Sequence, residues 1–392
     1  MKPSKHILPI IVFSQFCCTS LWFAGNSVIN DLLVHFNLNA NALGHVSSAV
    51  QFGFIIGTLL FAILTIADRF SPAKVFCFSA IFGSVFNLGI IYHTNNLTSI
   101  LILRFLTGFF LAGIYPVGMK IAADYYNTKL NKSLGFLVGA LVLGTAFPHL
   151  LKVLTNTLNW KYVIIATSTL AVFGGFLLLF LVPNGPYHKP SKKIDLTVFL
   201  AVFKNKDFRA VAFGYFGHMW ELYAFWTFVP IILKKYSDLH ALAQFNIPLL
   251  SFIIIGIGSI ACVISGYISQ CKGSKKTASI ALLLSAICCL ISPLLFSIES
   301  SYLFIVFLAF WGMVVIADSP LLSTLVAQNA NPTIKGTALT IVNCIGFFIT
   351  IISIQCITKI VEISNSTSVF TILAIGPIFG LYMLKKKIFL KL

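Results

Sequence analysis

The sequence predicts an all-α integral membrane protein, its chain crossing a bilayer as twelve transmembrane helices in two six-helix bundles. Three observations lead there: the composition, the spacing of the apolar runs and the placement of the basic residues. Of 392 residues 58% are hydrophobic and only 9% charged, whereas a soluble domain carries about 25% charged residues. A membrane helix needs roughly 20 mostly apolar residues. Runs of that length fall at 6–29, 44–67, 74–92, 98–122, 133–154, 160–182, 208–233, 245–269, 276–298, 302–326, 335–358 and 367–384. They are apolar on every face and about twice as long as the ten-residue alternating strands of an outer-membrane barrel, so helices are expected.

The formal charge of +17 suggests nucleic acid until its placement is read. With the N-terminus in the cytoplasm, the outside segments keep only Lys152, Lys161, Lys234, Lys235 and Lys359, and Arg104 lies within a span. Every other Lys and Arg falls inside, which is the positive-inside bias. Both termini are therefore expected in the cytoplasm, in a multi-pass protein of the cytoplasmic (inner) membrane. The partners expected are the lipid bilayer and a small-molecule substrate, with no nucleic acid. The first span follows Lys2 and Lys5 but is too long for a signal-peptide core and is read as retained. Nine cysteines without a CxxC spacing read as packing or lipid-facing residues, not as a disulfide framework or a metal site.

Taken in order, the first span offers Gln15, Trp22 and Asn26 for hydrogen bonds, with packing or interface anchoring as the equal alternative. Asp31 and His35 follow in a loop expected outside. Between the second and third spans the apolar pattern breaks at Asp68-Arg69 and restarts after Ser71-Pro72, with Lys74 closing the turn. The fourth span carries Arg104 near its outer end, Tyr115 nearer the inner end and Lys120 last. Arg104 either grips an anionic cargo or snorkels outward; Lys120 either sets orientation or pairs with Asp68 or Asp124. Small residues four apart, at Gly108 and Ala112, predict close helix packing, and Pro116 a bend.

After the sixth span, 183–207 reads as a cytoplasmic central linker between bundles 1–182 and 208–392, with a short surface helix expected over Ile194–Phe203. The seventh span holds His218 and Glu221 three apart on one face, flanked by Trp220, Tyr223 and Trp226. A charge at membrane depth costs at least about 2.5–3.5 kcal/mol, so it needs a partner or a task. Burial favours the neutral form of a carboxyl group, so Glu221 and His218 are either a site for protons or substrate or a satisfied structural pair. In the tenth span Trp311 and Asp318 are seven apart and share a face, with Pro320 just after. The turn 270–276 repeats the position of 68–74 without the acid, as in a weak parallel repeat of six helices.

Six plus six spans, a basic central loop and an Asp-Arg turn after the second span resemble the major facilitator superfamily. ADRFSPAK is similar to its G-x-x-x-D-R-x-G-R-R signature, and RFLTGFFLAGIYPVGMK to its fourth helix. Leu64, Ser71 and Pro72-Ala73 depart from the first pattern, so Asp68, Arg69 and Lys74 carry over. The resemblance implies a secondary transporter working by alternating access around a cavity lined by helices one, four, seven and ten. It also implies that Asp68, facing Asn331 to Lys335, gates the cycle together with Arg69, Lys74 and Lys120; a loop that only sets topology is the alternative. On this reading the solute is small, polar or anionic, and coupled to protons through Glu221, His218 and Asp318. Trp22, Asn26, Arg104, Tyr115, Tyr223 and Trp311 would face it. No nucleotide loop, metal-ligand spacing or activated nucleophile is present in the sequence, so neither an enzyme nor a cofactor is expected. A monomer is expected; a transport-inactive sensor on the same fold and a drug or metabolite exporter are the alternatives.

Overall fold

The computed structural model describes residues 5–126, 130–155, 158–187, 201–240, 243–331, 335–364 and 366–385. Among them every regular element is helical. The chain divides into two compact units, Met1–Ile194 and Asp195–Leu392.

In the first unit the first apolar run is not one helix. It breaks into α1 (Ile7–Thr19), α2 (Ala24–Ser27) and α3 (Ile29–His35), so the expected loop at Asn30–Asn41 is helical in its first half. The physical cause is local. Thr19 Oγ1 donates to the Gln15 carbonyl at 2.8 Å and Ser20 Oγ to that of Cys17 at 2.7 Å, a pattern that competes with the backbone ladder and bends helices. Leu21 and Trp22 then bond only three residues back. Next come α4 (Ala42–Ile63), the short α5 (Ile66–Arg69), α6 (Pro72–Leu88), α7 (Leu97–Leu111), α8 (Tyr115–Tyr125), α9 (Leu130–Leu154) and α10 (Lys161–Leu181). The bend expected from Pro116 falls at 112–114, where the proline ring displaces the carbonyl four residues earlier. Helix α4 lies against α7 so closely that a Cβ on Gly108 would come within 2.0 Å of the Val50 carbonyl oxygen, and one on Gly53 within 1.9 Å of that of Phe105. At the end away from the Asp68 turn, Lys152 on α9 pairs with Asp31 on α3 at 2.8 Å.

The second unit is built on α11 (Lys206–Leu239), a single helix of 34 residues. It packs against α16 (Ser319–Asn329), α17 (Lys335–Ile363) and α18 (Ile375–Lys385). Helices α12 (Ile247–Gly256), α13 (Gly258–Lys272), α14 (Ser274–Phe296) and α15 (Ser301–Ala317) complete the unit, with α14 and α15 in contact. Asp318 sits at the break between α15 and α16. Pro320 frees the Ile316 carbonyl, which accepts from the Cys262 thiol at 3.7 Å.

Ten helices among the described residues are long and apolar enough to cross a membrane. The two sequence-read spans missing from that number are the first, in three pieces, and the seventh, whose His218, Glu221 and polar-tipped aromatics dilute its apolar character. Of the expected surface helix Ile194–Phe203, residues 194–200 lie outside the described residues and 201–203 fall in a 3-10 turn at Ala201–Lys204; of the expected Asp68 partner Asn331–Lys335, residues 332–334 lie outside them.

Candidate functional site

In the second unit, α11 presents Glu221 to α14 and α15. The carboxyl is 1% exposed. Its Oε1 accepts from Ser285 Oγ at 2.6 Å, Trp311 Nε1 at 2.7 Å and Cys289 Sγ at 3.2 Å. No cation among the described residues touches it, so three uncharged donors offset its removal from water. His218, one turn earlier, turns instead to Asp318, with Nδ1 at 2.9 Å from Oδ1 and both side chains buried. Sequence spacing had paired His218 with Glu221 and set Trp311 beside Asp318. The structure re-sorts them: Trp311 belongs to Glu221, and His218 to Asp318. Trp311 therefore gives its only polar hydrogen to an acid, while its ring lies tilted against Phe225, centroids 4.5 Å apart. Tyr223 is buried between Trp226 and Phe347, at 5.2 and 5.4 Å.

Ser285 and Cys289 were not among the expected site residues. They lie four apart on α14, one face of a helix, and that spacing was the available signal. A serine and a cysteine in an apolar run read as packing, which is how all nine cysteines were read; for Cys289 that reading is incomplete, since its thiol donates to Glu221.

The first unit holds its deepest charge differently. Arg104 does not snorkel: it is 0% exposed, and it turns toward the break after α1. Its Nη2 donates to the carbonyls of Leu21 at 3.0 Å and Trp22 at 2.5 Å, and Nη1 to Asn87 Oδ1 at 2.9 Å. Asn87, also not expected, in turn donates to Ser168 Oγ at 2.9 Å and Thr167 Oγ1 at 3.3 Å. The guanidinium thus serves carbonyls that the helix break has freed. Hydrogen bonds to a charged group contribute about 1.5–3 kcal/mol each. Asn26 donates to Ser47 Oγ at 2.7 Å, and Trp22 lies against Phe54, ring centroids 4.9 Å apart. Tyr115 is half-buried at the first position of α8.

At the Asp68 turn, Thr65 adopts a left-handed backbone, φ 50°, and α5 carries Asp68 and Arg69. Arg69 and Lys74 are exposed, and the Asp68 side chain lies outside the described residues. Lys120 Nζ donates to the Ala67 carbonyl at 3.1 Å, so α8 reaches the turn through its backbone. Ser71 Oγ meets Asn184 Oδ1 at 3.1 Å, and Tyr187 N–H donates to the Asp124 carbonyl at 3.0 Å. The turn, the end of α8 and the segment after α10 are thereby tied together.

Comparison with known proteins places these features. The chain is 24% identical over 204 residues to an uncharacterized transporter of Buchnera aphidicola subsp. Schizaphis graminum, covering 52% of this chain and 48% of that protein. It is 25% identical over 176 residues to NiaP of Bacillus subtilis strain 168, a candidate niacin/nicotinamide transporter, covering 42% and 41%. The matches thus span about half the length, or less, of these relatives. The fold matches the crystal structure of the human organic anion transporter MFSD10 (TETRAN) with a TM-score of 0.76 at 14% identity, covering 98% of this chain and 100% of that one. The Major Facilitator Superfamily model matches residues 11–354. The chain is a multi-pass membrane protein and belongs to the Major Facilitator Superfamily.

Proposed function

We propose that the chain carries a small polar solute across the membrane by alternating access and couples that movement to protons through Glu221. One observation carries the reading: a fully buried carboxyl group held by three uncharged donors from two neighbouring helices, with no cation among its described partners. Burial and hydrogen-bond donors act on a carboxyl group's charge in opposite senses. With the two opposed, a small shift of α14 or α15 decides which form is held, and that is what a proton-coupling group requires. The His218–Asp318 pair supplies a second exchangeable site. Asp318 stands at the joint between α15 and α16, where a change in helix angle changes its distance from His218.

The remaining assignments follow the charge pattern and the family. The ten long helices, the three-piece first segment and α11 make twelve crossings, with both ends cytoplasmic and bundles 1–182 and 208–392 joined by 183–207. Asp68, Arg69, Lys74 and Lys120 form the gating turn. A monomer in the cytoplasmic membrane does the work.

The test uses purified protein in liposomes under an imposed pH gradient, with labelled nicotinamide and nicotinate as first probes because of the Bacillus relative's name. Glu221→Gln is expected to abolish accumulation driven by the gradient and to leave exchange of preloaded solute. Loss of both in a normally folded variant would make Glu221 a binding or structural group instead.

A further inference from the structure

We infer that the first unit holds a neutral hydrogen-bonding subsite beside the break in the first helix, built on Gln51 and Asn26, and that the solute is an uncharged molecule carrying a carboxamide or similar donor-acceptor pair. The inference rests on the carrier reading above and names the chemistry of the cargo.

Ser47, Gln51 and Phe54 recur at four- and three-residue steps along α4 and therefore share one face. The two outer members locate that face. Ser47 accepts from Asn26, and Phe54 lies against Trp22. Gln51 lies between them on that same face. Its side chain is 0% exposed, and among the described residues neither its Oε1 nor its Nε2 has a hydrogen-bond partner. Asn26, 4% exposed, uses its amide donor on Ser47 and leaves Oδ1 without a partner. Buried side-chain amides are ordinarily satisfied. Two on facing elements, offering one donor and two acceptors, make a set complementary to a ligand with an N–H or O–H donor and a carbonyl acceptor.

The charge of that ligand follows from Arg104. It is the basic group beside this site, yet both of its terminal nitrogens are engaged by the Leu21 and Trp22 carbonyls and by Asn87. Both hydrogens of Nη2 are taken, so neither guanidinium fork is open, and the Nε–H, without a partner among the described residues, is packed against Gly25, where a Cβ would come within 3.3 Å of the nitrogen. A carboxylate would find no paired guanidinium fork and would face the acceptor oxygens of Asn26 and Gln51. A carboxamide meets both with its own donors.

Binding, read without transport, tests this. Thermal unfolding of the purified full chain is measured with three matched pairs at saturating concentration: nicotinamide with nicotinate, pyrazinamide with pyrazinoate, and lactamide with lactate. At least one amide is expected to raise the melting temperature by about 3 °C or more, with its acid giving no shift. Gln51→Leu should remove that shift while the unliganded variant melts no lower than wild type, since an unsatisfied buried amide is lost. If Gln51→Leu does not fold, Gln51→Met keeps the unbranched shape and asks the same question. Acids stabilising as well as amides, no amide stabilising, or a shift that survives the variants would each overturn the subsite. Proton coupling fails separately: an amide that binds but moves without protons leaves this site standing and removes the role of Glu221.

Discussion

In the first unit the deepest charge is a cation, Arg104, held by two backbone carbonyls and a side-chain amide; in the second the deepest charges are acids, Glu221 and Asp318, held by a hydroxyl, a thiol, an indole and an imidazole. The difference is one of chemistry as well as sign. A guanidinium keeps its proton under all ordinary conditions, so its charge is permanent and suits a fixed task such as closing a broken helix. A carboxyl or imidazole changes charge by moving one proton, which suits a cycle. Both solutions meet the same cost of charge at membrane depth. One does so by supporting architecture and the other by remaining adjustable.

The contrast breaks most visibly at Arg104. Arg104→Leu leaves the Leu21 and Trp22 carbonyls and Asn87 Oδ1 without their donor, and stranded buried groups cost about 1–3 kcal/mol each. A loss of at least about 3 kcal/mol is expected, read as a large fall in melting temperature and yield. Arg104→Lys should recover part of it, because an ammonium has donors but not the fork. An Arg104→Leu protein as stable as wild type yet unable to bind solute would erase the distinction between the units.

At Glu221 the expected split runs the other way. Glu221→Gln keeps an acceptor oxygen for Ser285, Trp311 and Cys289, so stability should change by less than about 1.5 kcal/mol. Gradient-driven accumulation should vanish. Wild-type accumulation should rise as the outside is acidified, because a proton enters with the solute, and the variant's should be flat with pH. A melting temperature that collapses along with transport would put Glu221 in the same structural class as Arg104.

These expectations mark how far the sequence reaches. The apolar runs were legible because a membrane helix needs length and apolarity, both of them linear properties. Glu221 stood out for the same reason, as an acid where acids are costly. Its partners did not, because Trp311 is 90 positions away and Ser285 is 64; helical spacing gives a shared face but not what faces it. Hence His218 was set beside Glu221 and found beside Asp318. Arg104 had two readings, cargo or snorkel, and the carbonyls it meets exist only because Thr19 and Ser20 bend the first helix. Any serine or threonine in a span can do that, so the break carried no distinguishing mark. A single amide in an apolar run, such as Gln51, gains meaning only when its burial and lack of a partner are known.

Cys289 offers a finer probe of the second unit. Cys289→Ala removes one of three donors to Glu221 and the weakest of them, a thiol at 3.2 Å. Coupled uptake should fall by less than about threefold, a difference under 1 kcal/mol, and Cys289→Ser should restore it. A null effect of alanine with a large effect of serine would show that the position matters for packing and not for the carboxyl.

The units differ again at the turns 64–74 and 270–276. The second closes on Gly273 at φ 82° and ψ 143°, a conformation open essentially only to glycine. The first opens on Thr65 at φ 50°, a left-handed backbone that a β-branched residue adopts at a cost of about 1–2 kcal/mol. Gly273→Ala should therefore destabilise by about 1–3 kcal/mol. Thr65→Gly relieves the first strain but adds unfolded-state entropy worth about 0.5–1 kcal/mol, so a net gain of a few tenths to about 1 kcal/mol is expected by thermal unfolding. Lys120 bonds the carbonyl of Ala67, two residues on, so the strained residue lies within the proposed gating turn. If Thr65→Gly stabilises the protein and slows exchange, the strain serves the cycle. If it stabilises and leaves exchange unchanged, the turn of the first unit is a connector like that of the second, and the asymmetry between the units is confined to their buried charges.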